Sequence, residues 1–383
     1  MRPEPPGHDA AAPAGSARGE PLPAPAQSLS QSQSQSQSQS QSPSPSPSPS
    51  QAQAQAQAQS SSSGAATVPA APGVSDAAGR RESEASAGAI VLEVEHETLY
   101  RYRGSVELAQ HIAFLRPRDD ATQRLLDLRL QIEPPPSQLR SDLDAFGNVR
   151  TLFALNAPHE SLRVVARSRV RVSPPEALPP APAWEAARGR WRYVAGRAPD
   201  PAAEFAFASP LLPQHPALRA WAEPSFPPGR PLDEAALDLM HRLHRDFDYV
   251  PDSTEVDTPV LEVLLQRRGV CQDFAQLLIA GLRAMGLAAR YVSGYLLTEP
   301  PPGQPRLQGA DASHAWAALA LPGADGAPAG WLELDPTNDC VAAAAHVRLA
   351  VGRDYGDVPP LRGVIRGGGR HRLQVRVSTR PAD

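Results

Sequence analysis

The sequence predicts an α+β protein: a disordered tail, then a β-sandwich domain, then a core of helices packed against an antiparallel sheet. Three observations lead to this prediction. Residues 1–88 have a low-complexity composition, residues 89–175 alternate as strands do, and residues 176–383 combine helical and strand periodicities. The length of 383 residues is consistent with two to three domains.

The tail is defined by its repeats. Residues 1–88 contain runs of Gln-Ser, Pro-Ser and Gln-Ala dipeptides, and the first aromatic residue of the chain is Tyr100. This composition offers too little apolar surface to offset the entropy of ordering the chain. We therefore expect a solvated, disordered extension without chemistry, with an interaction tail as the alternative.

Charge and cysteine content exclude several classes of protein. The net charge of -4 gives no reason to expect a nucleic acid or a membrane surface as partner. The two cysteines, Cys271 and Cys340, exclude a disulfide framework and a cysteine-rich zinc site. No apolar run has the length of a signal-peptide core or a transmembrane helix, so we expect a cytoplasmic location.

The β-rich region is recognised by its period of two, most clearly in Leu162–Val172. An apolar face that packs and an arginine face in water indicate an antiparallel sheet. The arginines could bind a polyanion, but a solvated face is favoured. Further strands are expected on both sides of Gly104 and of a hairpin turn at Gly147-Asn148. The apolar face carries Leu162, Val164, Ala166, Val170 and Val172, and the polar face carries Arg163, Arg167, Arg169 and Arg171.

A proline-rich stretch, Ser173–Trp184, marks the boundary before the core. Helical spacing then runs through Asp233–Phe247. A second helix is expected to start at Pro259, because proline in the first turn loses no internal hydrogen bond, and to stop at Gly269.

Cys271 opens the next predicted helix. From Cys271 to Gly286 apolar residues recur at intervals of four and three, which indicates a buried helical face. The positive end of the helix dipole favours a thiolate there, and free backbone N–H groups can hold an oxyanion. A lone cysteine would more often be a small buried residue, so the assignment depends on partners elsewhere in the chain.

Such partners lie in a predicted antiparallel hairpin, whose strands HAWAALAL and GWLELD begin at His314 and Gly330. We expect Leu321 to pair with Gly330. In that register Trp316 lies opposite Asp335, and His314 is the diagonal neighbour of the carboxylate on the same face, at roughly 7–8 Å. A carboxylate that orients an imidazole, which in turn faces a thiol, is the arrangement of cysteine acyl-transfer enzymes.

These motifs, GVCQDFA, RYVSGY, HAW and DPTND in that order, resemble the bacterial transglutaminase-like superfamily. Residues 91–172 resemble its β-rich N-terminal domain, and GRDYGDVPPLRG resembles its C-terminal signature. The resemblance implies a papain-like core with Cys271 as nucleophile, His314 as base and Asp335 as orienter. It implies a thioester acyl-enzyme that acts on an amide of a protein or peptide, by hydrolysis or by transfer to an amine, with no cofactor.

Several residues have open roles. Gln272, Asp273 and Trp316 are expected to bind substrate or support the site. Asp273 is either a site carboxylate or, more simply, a helix-start residue, and Trp316 could shield the His–Asp pair from water.

No metal is expected. The segment HRLHRDFD lacks further ligands, and no loop has the periodicity of a calcium site. Cys340 and His96 are expected to be structural. The alternative function is a catalytically silent binding module on the same fold.

Overall fold

The computed structural model describes residues 88–382, except residues 176, 178, 193, 197, 299–312 and 324–329. All but the last residue of the predicted tail therefore lie outside the described residues, and its disorder stays a prediction. None of the described helices combines the length and the apolar character that a membrane crossing requires.

The elements follow one another along the chain as strands first, then helices, then mixed structure. The described strands are β1 (Ile90–Ala113), β2 (Gln123–Glu133), β3 (Gln138–Leu143), β4 (Val149–Leu155), β5 (His159–Val172), β6 (Asp248–Tyr249), β7 (Arg268–Gly269), β8 (Ala289–Leu296), β9 (Ser313–Leu321), β10 (Gly330–Asp335), β11 (Cys340–Val341), β12 (His346–Gly352), β13 (Leu361–Gly367) and β14 (His371–Pro381). The described α-helices are α1 (Trp184–Arg190), α2 (Pro216–Ala222), α3 (Leu232–Asp246), α4 (Val260–Gln266) and α5 (Cys271–Ala284).

Strand β1 is the centre of the first sheet. Its first half lies between β5 and β14, and its second half lies between β4 and β13. Strands β2 and β3 extend the two halves from β5 and β4. Within the described residues, these seven strands form one continuous antiparallel sheet that curls into a half-barrel around a buried cluster. That cluster includes Val106, Leu130, Phe153 and Leu162.

The half-barrel replaces the two separate layers expected of a sandwich, because β1 is 24 residues long and runs through both halves. Gly104, where we expected a turn between two strands, lies inside β1. The pairing with β5 shifts between Arg101 and Val106, so the chain irregularity at this glycine bends the strand without reversing it. The predicted hairpin turn at Gly147-Asn148 is confirmed between β3 and β4, where Gly147 has a φ of 75°.

The outer face of this sheet carries the predicted arginine row. Three of the four arginines on β5 form ion pairs with glutamates on β1, two directly across the strand pair and Arg163 diagonally, so the row does not present a bare cationic surface. The pairs are Arg163–Glu97, Arg167–Glu95 and Arg169–Glu93. This arrangement agrees with a solvated face.

The second sheet has the strand order β11-β10-β9-β8-β12 and is antiparallel. Helix α5 packs against β9 and β8, and α2, α3 and α4 surround α5. Arg283 near the end of α5 is buried and donates to the carbonyls of Ala289 and Arg353, which ties the helix to the sheet. The predicted core of helices against an antiparallel sheet is therefore confirmed.

The two sheets share one hydrophobic core. Leu92 and Val170 of the first sheet belong to the same buried cluster as Leu278 of α5. The Tyr295 hydroxyl of β8 also lies 3.0 Å from Nδ1 of His96 on β1. Strands β13 and β14, which we assigned to the region 176–383, pair with β1 in the first sheet. The polypeptide thus leaves the β-rich region, builds the core and returns to complete the first sheet.

Candidate active site

Cys271 is the first residue of α5 and is partly buried. The backbone just before Cys271 passes close to Asp273: a Cβ added at Gly269 would lie 2.8 Å from the Cβ of Asp273. The Asp273 carboxylate accepts the backbone N–H of Val270 at 2.9 Å and the hydroxyl of Thr254 at 2.6 Å. These contacts fix the start of the helix and hold the thiol at its positive end.

His314 and Asp335 lie on β9 and β10. Leu321 pairs with Gly330, so the predicted register is confirmed. Nε2 of His314 lies 2.7 Å from Oδ2 of Asp335, and both side chains are buried. Since Nε2 faces the carboxylate, Nδ1 is the ring nitrogen left for the thiol of Cys271, with which His314 interacts. The structure thus brings the three residues together.

The electrostatics follow from these contacts. Burial alone would lower the pKa of His314, but the hydrogen bonds and negative charges of Asp335 and Cys271 outweigh it and raise this pKa to about 9. Burial would likewise raise the pKa of Asp335, yet hydrogen bonds from His314, His346 and Asn338 hold that pKa well below its usual range. At neutral pH the imidazole is therefore a cation beside an ionised carboxylate.

Asp335 is completely buried, and its charge is balanced by donors on all sides. Besides His314, Oδ2 accepts Nδ2 of Asn338 at 2.7 Å and Nε2 of His346 at 3.0 Å. Oδ1 accepts the backbone N–H groups of Thr337 and Asn338 at 3.0 and 3.2 Å. The DPTND turn therefore wraps around its own first carboxylate and fixes its orientation.

His346 is the residue that the sequence analysis did not identify. It lies on β12 and is buried. Its Nδ1 accepts the backbone N–H of Ala343 at 3.3 Å, so Nε2 carries the proton and donates it to Asp335. No motif or spacing marks this histidine, because its place depends on the pairing of β12 with β8.

His314, Asp335 and His346 bring three potential metal ligands within 4.8 Å of one another. The hydrogen bonds do not fit a metal. A histidine that binds a metal through Nε2 normally donates its Nδ1–H to an acceptor, whereas Nδ1 of His346 faces a donor, the N–H of Ala343. The group is accounted for as a hydrogen-bonded ion cluster.

Gln272, Asp273 and Trp316 have distinct surroundings. The Gln272 amide donates to the carbonyl of Val256 at 2.9 Å and steadies a loop beside the thiol. Asp273 has the helix-start role, and its burial raises its pKa. Trp316 is fully buried, packs against the rings of His314 and His346, and donates Nε1–H to Glu333 at 2.9 Å. Its ring therefore borders the His–Asp pair.

The histidines of HRLHRDFD hold the DPTND turn. His241 is bonded to Asp339, and Nδ1 of His244 lies 3.1 Å from the carbonyl oxygen of Pro336. Helix α3 thus anchors the segment that carries the buried carboxylate. Cys340 follows this turn on β11, where burial raises the pKa of its thiol.

A cavity of about 300 Å³ lies beside Cys271 and His314. The core contributes Tyr291 and Ser293 of β8 to its lining, and the first sheet supplies the opposite wall. A larger hollow of about 660 Å³ lies on the ion-paired face of the first sheet, but its described lining contains neither cysteine nor histidine. The cavity beside the thiol is therefore the candidate active site.

Comparisons with known proteins agree with this geometry. Residues 92–171 match the family described as the bacterial transglutaminase-like N-terminal region, and residues 219–336 match the transglutaminase-like superfamily. His346 lies beyond the second match.

Relatives and a solved structure extend the match. An uncharacterized protein of Mycobacterium tuberculosis is 46% identical over 280 residues, covering 71% of this chain and 86% of the relative. One from Mycobacterium leprae is 33% identical over 293 residues, covering 75% and 97%. The crystal structure of a proposed cysteine protease from Cytophaga hutchinsonii superposes with a TM-score of 0.59 at 19% identity, covering 77% of this chain and 92% of that one. The chain therefore belongs to the transglutaminase-like superfamily.

Proposed function

We propose that this protein is a cysteine-nucleophile enzyme that transfers the acyl group of a protein or peptide amide through a thioester acyl-enzyme. One observation carries the proposal: a buried His314–Asp335 pair lies beside Cys271 at a helix N-terminus, and the thiol faces an open cavity. Family membership and the fold shared with a proposed cysteine protease support it.

In the proposed reaction, the Cys271 thiolate attacks the carbonyl carbon of the amide and forms a carbon–sulfur bond. His314 then gives its proton to the leaving amine as the carbon–nitrogen bond breaks, which leaves a thioester. Water or a second amine, deprotonated by His314, attacks the thioester and releases Cys271. Asp335 keeps the imidazole oriented and stabilises its charge through both steps.

The tetrahedral intermediate needs donors for its oxyanion. Backbone N–H groups in the first turn of α5 lack intrahelical partners and supply one source. Tyr291 lines the cavity, and its burial, together with the charge of Cys271, raises its pKa well above the usual value, so its hydroxyl stays protonated. We propose this hydroxyl as the second donor. Tyr291→Phe should lower kcat about 10²-fold and leave the alkylation rate of Cys271 unchanged; equal loss of both would contradict this role.

Peptide amides assayed with and without hydroxylamine test the proposal. Cys271→Ala should reduce kcat about 10⁴-fold or more, because the nucleophile is lost, while the matched control Cys340→Ala should retain activity. Hydroxamate formed in preference to acid would identify an amine transferase, and acid alone would identify a hydrolase.

Alkylation of Cys271 distinguishes the proposed enzyme from the alternative, a catalytically silent binding module. Iodoacetamide should label Cys271 rapidly at pH 6 in the parent protein and slowly in His314→Ala, because the imidazolium stabilises the thiolate. Equal, slow labelling of both proteins would refute an activated thiol.

A further inference from the structure

The cavity beside Cys271 has a wall that the core does not supply. Thr98 and Tyr100 of β1 and Leu373 and Val375 of β14 line it. Tyr100 pairs with Leu373 and Thr98 pairs with Val375, so these four side chains share one face of the first sheet. The same face that joins the two sheets into one core therefore closes the cavity opposite the thiol.

The charged side chains of β1 and β14 lie on the opposite face of the sheet from the four lining residues. Glu95, Glu97 and Arg376 alternate with the lining residues and take part in the ion pairs of the outer surface. Among the described residues that line the cavity, there is no Asp, Glu, Lys or Arg. His96 also lines it, but burial lowers the pKa of His96 to about 4, so this ring is neutral at neutral pH.

The rim of the cavity is apolar and exposed. Val256 is 56% exposed, Leu373 is 48% exposed and Val375 is 45% exposed, although all three are large hydrophobic residues. They belong to two separate segments, the loop before α4 and strand β14, which both line the cavity. Exposed apolar side chains gathered at the mouth of a cavity are typical of a binding surface.

We propose that this cavity binds the acyl portion of the substrate and selects an acyl group that carries no charge. The proposal rests on the acyl-transfer function proposed above and names its substrate class. The half-barrel acts as the specificity wall of the site, and the core supplies the reacting groups.

Two physical arguments support this selection. A charged acyl group would lose its hydration on entering the cavity, which costs free energy unless the lining supplies an opposite charge. Among the described lining residues, the only such charge is the His314 imidazolium, which the reaction itself uses. A neutral acyl group loses little on entry, and the hydroxyls of Thr98 and Ser293 can bond to a carboxamide. A volume near 300 Å³ is at the lower end of small-ligand sites and suits one side chain and its reacting amide.

The test uses the full-length protein and four para-nitroanilides whose acyl groups all have five carbons. Two acyl groups are neutral, pentanoyl and glutaryl monoamide. The other two are charged, anionic glutaryl and cationic δ-aminopentanoyl. We expect kcat/KM for both neutral compounds to exceed that for both charged compounds by about 100-fold. Comparable kcat/KM for the charged compounds, lost in Cys271→Ala, would overturn the selection and leave the acyl-transfer function standing.

Variants at the rim of the cavity provide a second test of the selection against charge. Val375→Lys should raise kcat/KM for glutaryl relative to pentanoyl about ten-fold, and Val375→Glu should do the same for δ-aminopentanoyl, because each supplies the missing counter-charge. Val364→Lys is the matched control: Val364 is 77% exposed on β13, which pairs with the other half of β1, and it does not line this cavity. An equal shift in the control would overturn the assignment of this wall.

The two proposals fail in different ways. If none of the anilides is cleaved, the proposed function fails, and selection is then measured by the rate at which Cys271 reacts with maleimides bearing ethyl, carboxyethyl or aminoethyl tails. Faster reaction of the ethyl compound by about ten-fold or more supports an uncharged-ligand site. Equal rates overturn it.

Discussion

At the scale of single residues, the site is organised around one carboxylate. Asp335 has no exposed surface, yet hydrogen bonds to both oxygens keep it ionised. Such a charge stays buried only because every lone pair has a donor. No sequence motif predicts His346 as one of these donors. Its tautomer is fixed because the backbone N–H of Ala343 donates to its Nδ1. We infer that it positions Asp335, which in turn positions His314.

Replacement of His346 tests this positioning role. His346→Leu removes a hydrogen bond to a charged group, worth about 1.5–3 kcal/mol, so kcat should fall at least about ten-fold. His346→Gln keeps an N–H donor at a similar distance and should restore most of the activity. Both variants are compared by kcat and by thermal unfolding. Equal loss of kcat in the two variants would show that the donor itself is unimportant.

A second prediction concerns the alkaline limit of activity. The pKa of His314 is about 9, so the imidazolium that protonates the leaving amine persists up to that pH. In Asp335→Asn the negative charge is gone while burial still lowers the pKa of His314. The alkaline limb of kcat/KM should therefore move down by about two pH units or more. An unchanged limb would mean that another group sets it.

At the scale of elements, close approach of backbones explains the glycine in RYVSGY. Gly294 on β8 lies across from His314, and a Cβ added there would come within 2.2 Å of the Val347 carbonyl oxygen and 2.4 Å of the Trp316 ring. Only a residue without a side chain leaves room for the Trp316 ring in its place beside His314. The glycine thus makes room for the ring that packs against His314 and His346.

Gly294→Ala should therefore destabilise the protein by about 1–3 kcal/mol or more, since neither the strand backbone nor the buried ring can move freely. Gly189→Ala is the control: Gly189 lies in α1, nothing is within 4 Å of its added Cβ, and the change should stabilise by about 0.5–1 kcal/mol. Urea unfolding measures both variants. Effects of the same sign would refute the steric explanation.

The sequence was informative wherever a local period fixes the geometry. The period of 3.6 placed Cys271 at the start of α5. The period of two gave the faces of β9 and β10, so that pairing Leu321 with Gly330, as the structure does, brings His314 to Asp335. Long-range pairing was not visible. His346 depends on β12 lying beside β8, and the specificity wall depends on β14 returning to β1, more than 260 residues away in sequence.

At the scale of the whole molecule, the two sheets pack around one shared buried cluster. Their junction includes a buried network in which Tyr295 meets His96, and Nε2 of His96 lies 2.9 Å from the hydroxyl of Thr98. Thr98 also lines the cavity, so the junction and the candidate site share residues. A change that loosens the junction is therefore expected to reach the site.

The junction also predicts acid sensitivity. His96 has a folded pKa of about 4, below its ordinary value of 6.5, so between these values only the unfolded chain binds this proton. Its contribution to stability is present above pH 6.5 and is lost as the pH falls towards 4, at about 1.4 kcal/mol per pH unit. Urea unfolding between pH 4.5 and 6.5 should show a shallower slope for His96→Gln than for the parent. Identical slopes would contradict this assignment.

The return of β14 to β1 has a consequence for how the protein is made. A ribosome releases β1 first, then Cys271, His314 and Asp335, and Leu373 and Val375 only afterwards. A nascent chain therefore contains all of its reactive groups before it contains the second strand of the specificity wall. Premature termination, or clipping of the final hairpin, would leave the cavity beside the thiol without Leu373 and Val375.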